Sequence, residues 1–397
     1  MNASLLLTLF VWGGIAWAAP KEQLYGKNEG YPSSPTMRGQ YTEANRVGGF
    51  SGKKVLDTEG VSRVVNSPSG DAVNLETRNV DWGFIRNPAA LLKNNSIMAL
   101  LLIRDGKIVF EDYQYETSRK SHFNSESITK TLTALAIGRL VQDGRVDMEA
   151  SVDTYIDEFK GKWFGRNTIK TLLKMQCGIS GVGAGSTGGP YASLKFGNTM
   201  SYGPSVNLYD HFANAISQQA APGGRWEYDP RCSDTLSMVV SRVSGKNLGD
   251  YFQEKFFSIL KNEYPAYWTK AEKTDIVSGA NQFWASSADW AKIAVLLANK
   301  GSYKGLEVLP EKWIDSMLAD AARTSNKSRF MASYGYQVWV DESAPGSGLA
   351  VGFLGQRLYF DTRTKSAMII FGLDDEHHGK TAAFWDWFKD AKLDYKD

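Results

Sequence analysis

The sequence predicts an α+β protein in which an antiparallel β-sheet flanked by helices is combined with a mainly helical half. Strand-like segments occur near both ends of the chain, at 97–113 and 334–371, whereas the segments between 146 and 318 are mostly helical or loop-like. This order predicts one sheet that is completed from both ends of the chain. The 397 residues, of which 43% are apolar, are enough to bury a large core.

The composition argues against several classes of partner. The chain has 45 basic and 43 acidic residues, and no block of Lys and Arg that could follow a phosphate backbone, so no nucleic-acid partner is expected. The four histidines form no His-x-x-x-His or Glu-x-x-His pair, so the sequence predicts no metal site. No cofactor is expected either.

The N-terminus predicts export. Residues 1–18 read as a signal peptide, because Leu5 to Ile15 is apolar and Ala16-Trp17-Ala18 fits a cleavage site. The apolar run is shorter than the roughly 20 residues that a spanning helix needs, so no membrane span is expected after signal removal. We therefore expect a secreted or periplasmic protein. In such a protein Cys177 and Cys232 are compatible with one disulfide and equally with two buried thiols.

The elements follow in order from the N-terminus. Residues 19–94 are polar and rich in glycine, and predict an extended segment without a motif. Ile97–Ile103 and Ile108–Tyr113 predict a hairpin around an Asp105-Gly106 turn, and the wholly apolar first run is typical of a strand covered on both faces. A helix follows from Ser127 to Val141, and the remaining predicted elements are helices at Thr168–Met175, Asp234–Val243, Phe283–Leu297, Glu311–Leu318 and Lys380–Leu393, with strands at Tyr334–Val340, Arg357–Asp361 and Ser366–Phe371. A glycine-rich loop from Gly178 to Asn207 is compatible with a lid and equally with a surface insertion.

The segment with the strongest chemical signal is Ser127-Ile128-Thr129-Lys130. Ser-x-x-Lys occurs three times, also at Ser51–Lys54 and Ser258–Lys261, so the pattern by itself is weak. The middle copy differs because it follows a hairpin and opens an apolar helix, as a serine–lysine hydrolase motif requires. A hydroxyl and an amine one helical turn apart can form a nucleophile–base pair, since burial favours a neutral amine. The alternative is a helix cap followed by a solvated lysine.

Five segments in a consistent order resemble the serine β-lactamase and penicillin-binding-protein superfamily. They are Ser127–Lys130, the Ile169–Ser180 segment similar to "LLxMxSGI", Pro222–Tyr228 similar to "PGxxxxY", Ser286–Ala291 similar to "SxxDxA", and the Gly352–Gln356 turn. The Gly-x-x-Gly-Gln turn resembles the branch of 6-aminohexanoate-dimer hydrolases and related esterases. The resemblance implies a β-lactamase/transpeptidase-like domain over 95–393, with a sheet part at 95–126 and 331–393 and a helical part at 127–330.

The resemblance also implies a site. Ser127 would be the nucleophile, and Lys130 or Tyr228 would accept its proton; Tyr228 would then pass a proton to the leaving group. The backbone N–H groups of Ser127 and Phe353 would form the oxyanion hole. Gly352 and Gly355 belong to the turn that borders the substrate. Asn281 precedes a predicted helix, and we expect it to line the substrate cleft.

Two departures from the family pattern affect the expected substrate. The turn at Gly352–Gln356 contains no Lys or His to hold a β-lactam carboxylate, and the usual Tyr-x-Asn reads Tyr228-Asp229-Pro230. We therefore expect a serine hydrolase acting on small linear amides or carboxylic esters through an acyl-serine intermediate. The alternatives are a β-lactamase or D-alanyl-D-alanine carboxypeptidase, and a non-catalytic binding domain with the same fold. The sequence makes no prediction of oligomeric state.

Overall fold

The computed structural model describes residues 61–83, 86–93, 97–179, 207–215, 220–271, 274–324, 332–373 and 377–396. The predicted signal peptide and most of the loop proposed as a lid lie outside these residues.

The described elements are numbered here in chain order. The strands are β1 (Val61–Asn66), β2 (Ile97–Arg104), β3 (Lys107–Tyr113), β4 (His122–Asn124), β5 (Ala266–Ala271), β6 (Phe283–Ser286), β7 (Ser302–Tyr303), β8 (Leu306–Glu307), β9 (Ala322–Arg323), β10 (Ser333–Tyr334), β11 (Trp339–Val340), β12 (Ser347–Gly352), β13 (Gln356–Asp361) and β14 (Ser366–Gly372). The α-helices are α1 (Ala89–Leu92), α2 (Thr129–Gln142), α3 (Ile169–Leu173), α4 (Leu208–Ala215), α5 (Pro230–Ser244), α6 (Leu248–Phe252), α7 (Ser258–Leu260), α8 (Ser287–Ala298), α9 (Glu311–Ala319) and α10 (His378–Phe388).

The large antiparallel sheet is completed from both ends of the chain, as the sequence predicts. Its strand order is β3-β2-β14-β13-β12-β11-β10-β9, so the N-terminal hairpin pairs with the C-terminal strands through β2 and β14. Strand β14 is buried at every residue, and β2 is buried at every residue except Arg104. Helix α8 covers one face of the sheet, and on α10 the Trp385 ring packs against Tyr359 of β13. The predicted α+β fold class is confirmed.

A second sheet forms where the sequence analysis expected none. Four strands pair antiparallel in the order β1-β5-β6-β4, so the predicted N-terminal extended segment contributes β1 and the predicted helical half contributes β5 and β6. Every residue of β1 pairs with β5, and the Trp268 indole N–H donates to the Asn66 side chain at 2.7 Å. The prediction of a single sheet was wrong, because β1 and β5 pair across about 200 residues of sequence, and β4 and β6 are too short to show clear periodicity.

Three predicted boundaries also differ. The helix expected at Phe283 begins at Ser287, because Ser286 accepts a hydrogen bond from the Asp289 N–H and so caps it, while the preceding residues pair in the small sheet. The closing helix ends at Phe388 rather than Leu393, since the Arg104 guanidinium donates to the Phe388 and Ala391 carbonyls. The strand expected across residues 334–340 is two paired short strands, joined by a turn with Gln337 at φ 57°.

Cys177 and Cys232 form a disulfide, with Cα atoms 6.3 Å apart. The bond ties the segment after α3 to the first turns of α5. The sequence is compatible with either a disulfide or two buried thiols, and the structure contains the disulfide. Within the described ranges, no helix has the length and apolar character needed to cross a membrane.

Candidate active site

Ser127 lies in a turn that is fixed on both sides. A single 3-10 turn, Glu126–Ile128, connects the small sheet to α2, and Glu126 has a φ of 48°, in the left-handed region. Asn124 holds this turn, because its side chain accepts from the Glu126 N–H and donates to the Glu126 carboxylate, both at 3.0 Å. Ser125 Oγ donates to the Phe283 carbonyl at 3.0 Å. The half-buried Ser127 therefore sits at the start of α2, as predicted.

Lys130 lies one helical turn after Ser127 and is 2% exposed. Its Nζ donates to Ser127 Oγ at 2.9 Å and to the Ala280 carbonyl at 2.7 Å. Both distances are normal for hydrogen bonds. The amine is therefore held between two groups: the Ser127 hydroxyl one turn before it, and the Ala280 carbonyl in the segment that precedes β6. The alternative of a solvated first-turn lysine does not fit this burial.

Tyr228 joins this pair from the loop before α5. The Lys130 Nζ lies 5.1 Å from the centre of the Tyr228 ring. The ring stacks on Trp339 at 5.9 Å with an interplanar angle of 16° and meets Tyr334 edge-on at 5.8 Å. Trp226 packs against Tyr334 and Trp339 at 5.9 Å and 5.7 Å. These four rings, Trp226, Tyr228, Tyr334 and Trp339, form the aromatic cluster. Burial raises the pKa of the Tyr334 phenol well above its usual value, as does the adjacent Tyr228.

The turn between β12 and β13 approaches the Ser127 turn from the large sheet. An ideal Cβ on Gly352 would lie 2.4 Å from the Ser125 carbonyl oxygen, so only glycine permits this approach. The Phe353 side chain is exposed, and Leu354 and Gly355 follow with φ values of 57° and 83°. Gly355 itself is buried against Gly372 of β14. The turn that contains Phe353 therefore begins next to the segment that contains Ser127.

Asn281 lies beside the site but with its side chain buried. Its Oδ1 accepts from Ser278 Oγ at 2.9 Å, and the preceding residue, Ala280, provides the carbonyl that binds Lys130. The structure thus brings Asn281 into the segment that holds the lysine. Its predicted contact with substrate stays a prediction.

Asp234 is a polar residue of this region that the sequence analysis missed. It lies on α5, is buried, and accepts from the Gly279 N–H at 3.0 Å and from Ser278 Oγ at 3.2 Å. Burial raises the pKa of its carboxyl to about 7, and the charge of nearby Lys130 opposes this rise. The sequence signal was an acidic residue inside the otherwise uncharged run from Cys232 to Val240, which by itself does not identify a partner.

Among the described residues, no group of three or more His, Cys, Asp or Glu side chains is placed to hold a metal ion. What the site contains is a hydroxyl, a buried amine, a phenol and a close backbone turn. These are the types of group that acyl transfer uses: a hydroxyl, an amine, a phenol and backbone N–H groups.

Comparison with known proteins identifies the family. The β-lactamase family model matches residues 92–379. The 6-aminohexanoate-dimer hydrolase of Paenarthrobacter ureafaciens is 22% identical over 281 residues, which cover 68% of this chain and 71% of that protein. A solved Bacillus anthracis structure, provisionally named a 6-aminohexanoate-dimer hydrolase, is 22% identical, has a TM-score of 0.73, and is matched over 93% of this chain and 97% of its own.

A crystal structure of a family VIII carboxylesterase has the same fold. It is 19% identical, with a TM-score of 0.58, and the match covers 75% of this chain and 94% of the esterase. The family model spans well over half of the sequence, and all five motifs lie within it in the expected order. The chain therefore belongs to the β-lactamase family.

Proposed function

We propose that this protein is an exported serine amidase or esterase that cleaves small linear amides or carboxylic esters through an acyl-Ser127 intermediate. The observation that carries the proposal is the 2.9 Å contact between Lys130 Nζ and Ser127 Oγ, with the Tyr228 ring 5.1 Å from the same Nζ. The disulfide between Cys177 and Cys232 supports export, because such bonds persist in oxidising compartments.

The reaction has two steps. Ser127 Oγ attacks the substrate carbonyl carbon, and its proton passes either to Lys130 Nζ in the neutral form or to a Tyr228 phenolate. The N–H groups of Ser127 and Phe353 stabilise the negative oxygen of the tetrahedral intermediate. When the carbonyl re-forms, the bond to the leaving amine or alcohol breaks, and Tyr228 supplies the proton that the leaving group needs. A water molecule then attacks the acyl carbon and gives a proton to Tyr228 or Lys130, the bond to Ser127 Oγ breaks as the acid leaves, and a proton returns to Ser127 Oγ.

The substrate class follows from what borders the nucleophile. The turn Gly352–Gln356 has no Lys or His, and the next residue, Arg357, is fully buried, with its Nη1 bound to the Gly352 and Gln356 carbonyls. A penicillin carboxylate therefore finds no free cation in this turn. The 38% exposed Phe353 side chain, which belongs to this turn, favours an uncharged, apolar acyl chain. Relatives named 6-aminohexanoate-dimer hydrolase and carboxylesterase support a hydrolase of this kind.

The test is covalent labelling of the purified protein. A fluorophosphonate should label the wild type and should not label Ser127→Ala, whereas fluorescent penicillin should label neither. Ser258→Ala is the matched control, because Ser258 belongs to another Ser-x-x-Lys pattern but donates to the Glu254 carbonyl at the surface. It should label like the wild type. Labelling by penicillin at Ser127 would instead support a β-lactamase or peptidase, and no labelling by either reagent would support a binding domain.

A further inference from the structure

The Gly352–Phe353 peptide unit is held from its carbonyl side by a buried arginine. The Arg357 Nη1 donates to the Gly352 oxygen at 2.9 Å, and the same peptide unit carries the Phe353 N–H on its opposite edge. We propose that Arg357 is a positioning residue, which aligns and polarises this N–H for the oxyanion. The inference rests on the proposed function, because it assigns a role within the same acyl-transfer site.

Two buried side chains fix the peptide planes on both sides of Phe353. Arg357 is 0% exposed and also donates to the Gln356 carbonyl at 2.7 Å, so its guanidinium has a defined place under the turn. The Gln356 Nε2 donates to the carbonyls of Phe353, Leu354 and Gly372 at 2.8–3.1 Å. The Phe353 N–H thus belongs to a peptide fixed by Arg357, and the peptide that follows Phe353 is fixed by Gln356. Its direction is set before substrate binds.

The arginine contributes more than orientation. A hydrogen bond from a charged donor is about twice as strong as a neutral one. Hydrogen bonds in a chain strengthen one another, by roughly 10–30% per bond. Withdrawal of electron density from the Gly352 oxygen therefore makes the Phe353 N–H a better donor toward developing negative charge. A donor that is oriented in advance is most effective in the transition state, where that charge is largest.

The test uses the acyl-enzyme itself. Wild type, Arg357→Met and Arg357→Gln are treated with p-nitrophenyl trimethylacetate labelled with ¹³C at the carbonyl, a hindered ester chosen so that the acyl-enzyme accumulates. Release of p-nitrophenol gives the acylation rate, and isotope-edited infrared spectra give the stretching frequency of the acyl carbonyl. Arg104→Met is the matched control, because Arg104 also donates to backbone carbonyls, those of Ala391 and Phe388, away from the site.

We expect both Arg357 variants to acylate more slowly, about tenfold for Met and less for Gln, which is below the roughly 10²–10³ cost of losing a whole oxyanion donor. Their carbonyl bands should move to higher frequency, since the carbonyl is less polarised, while Arg104→Met keeps the wild-type band. A wild-type band in the folded Arg357 variants would overturn the inference, and if Arg357→Met does not fold, Arg357→Gln decides. Absence of an acyl band in the wild type would instead overturn the proposed function.

Discussion

Lys130 and Tyr228 share one small volume although they come from different parts of the chain. The amine is buried between the Ser127 hydroxyl and the Ala280 carbonyl, and the phenol ring is stacked on Trp339. Each side chain thus has a contact outside the proposed reaction, the Ala280 carbonyl for Lys130 and the Trp339 ring for Tyr228. Single substitutions that remove only the reactive atom should therefore lower activity and leave the stability of the fold nearly unchanged.

Tyr228→Phe should lower kcat/KM by about 10²–10⁴-fold, the usual contribution of a general acid or base. The thermal midpoint should change little, because the ring and its stacking on Trp339 are kept. Hydrolysis of a p-nitrophenyl ester and a thermal melt measure the two quantities. Tyr334→Phe, which removes the hydroxyl of the adjacent ring, is the control and should remain active. Comparable losses in both variants would count against a specific role for Tyr228.

Asp234→Asn should change how stability depends on pH. The carboxyl has a pKa of about 7 in the folded protein, because burial raises it, against about 3.9 in the unfolded chain. Between these values the folded state keeps a proton that the unfolded state has released, so the free energy of unfolding of the wild type falls as pH rises. The asparagine side chain does not titrate. The free energy of unfolding of Asp234→Asn, relative to that of the wild type, should therefore increase by about 2–4 kcal/mol from pH 4.5 to pH 7.5.

Urea unfolding at the two pH values measures this difference. Asp105→Asn, in the exposed turn between β2 and β3, provides a control for the effect of removing one acidic side chain. A constant difference between Asp234→Asn and wild type across the pH range would show that the Asp234 carboxyl does not titrate there.

At the scale of elements, the site lies where the eight-stranded sheet and the four-stranded sheet meet α2 and α5. The small sheet leads into the Ser127 turn, α2 carries Lys130, and the end of β12 lies against the Ser125 carbonyl. Tyr228 precedes α5, whose Asp234 binds the segment that holds Lys130. Movement of one element relative to another by a fraction of an ångström should therefore affect activity before it affects folding.

Gly352→Ala tests this sensitivity. The added Cβ would lie 2.4 Å from the Ser125 oxygen and 2.7 Å from the Gln356 Cβ, so β12 must move away from the nucleophile turn. Since misplacement by about 1 Å can cost 10²-fold in rate, we expect a loss of about that size in kcat with a folded protein. Gly379→Ala on α10, where a Cβ meets no atom within 4 Å, should be fully active. Full activity of Gly352→Ala would contradict the close approach.

At the scale of the whole molecule, several contacts join segments that are far apart in the sequence. The N-terminal β1 pairs with β5, and β2 pairs with the C-terminal β14. The Cys177–Cys232 bond adds a covalent link between residues 55 apart in sequence. It anchors α5, and with it the loop that carries Tyr228, to the helix α3 region.

Removal of this bond should lower the free energy of unfolding by about 4 kcal/mol, the chain-entropy value for a loop of this length. Cys177→Ser with Cys232→Ser, and the wild type with and without dithiothreitol, provide two independent measurements by denaturant unfolding. The two measurements should give the same loss of stability. At a low temperature, where the proteins without the bond are still folded, most of the esterase activity should remain. A loss below about 1 kcal/mol would mean that the bond adds little constraint to the unfolded chain.

Structure that depends on local signals is predicted correctly from the sequence. The hairpin around Asp105-Gly106 and the helix that follows Ser127 have strong turn, periodicity and cap signals, and both are present. The approach of Lys130 to Ser127 also follows from helical spacing alone. The two-residue strands β10 and β11 and the start of α8 were misjudged, because short segments give ambiguous periodicity and depend on their neighbours.

By itself, the sequence determined the α+β class, the order of the motifs and the pairing of a hydroxyl with an amine at the start of α2. Each of these depends on residues within a few turns of one another or on the order of segments along the chain. Only the tertiary structure decided the second sheet, the disulfide, the aromatic cluster and the places of Asp234 and Arg357. The Ala280 carbonyl that holds Lys130 is 150 residues away in sequence, and no local pattern encodes such a contact, because it arises when separate segments pack into one core.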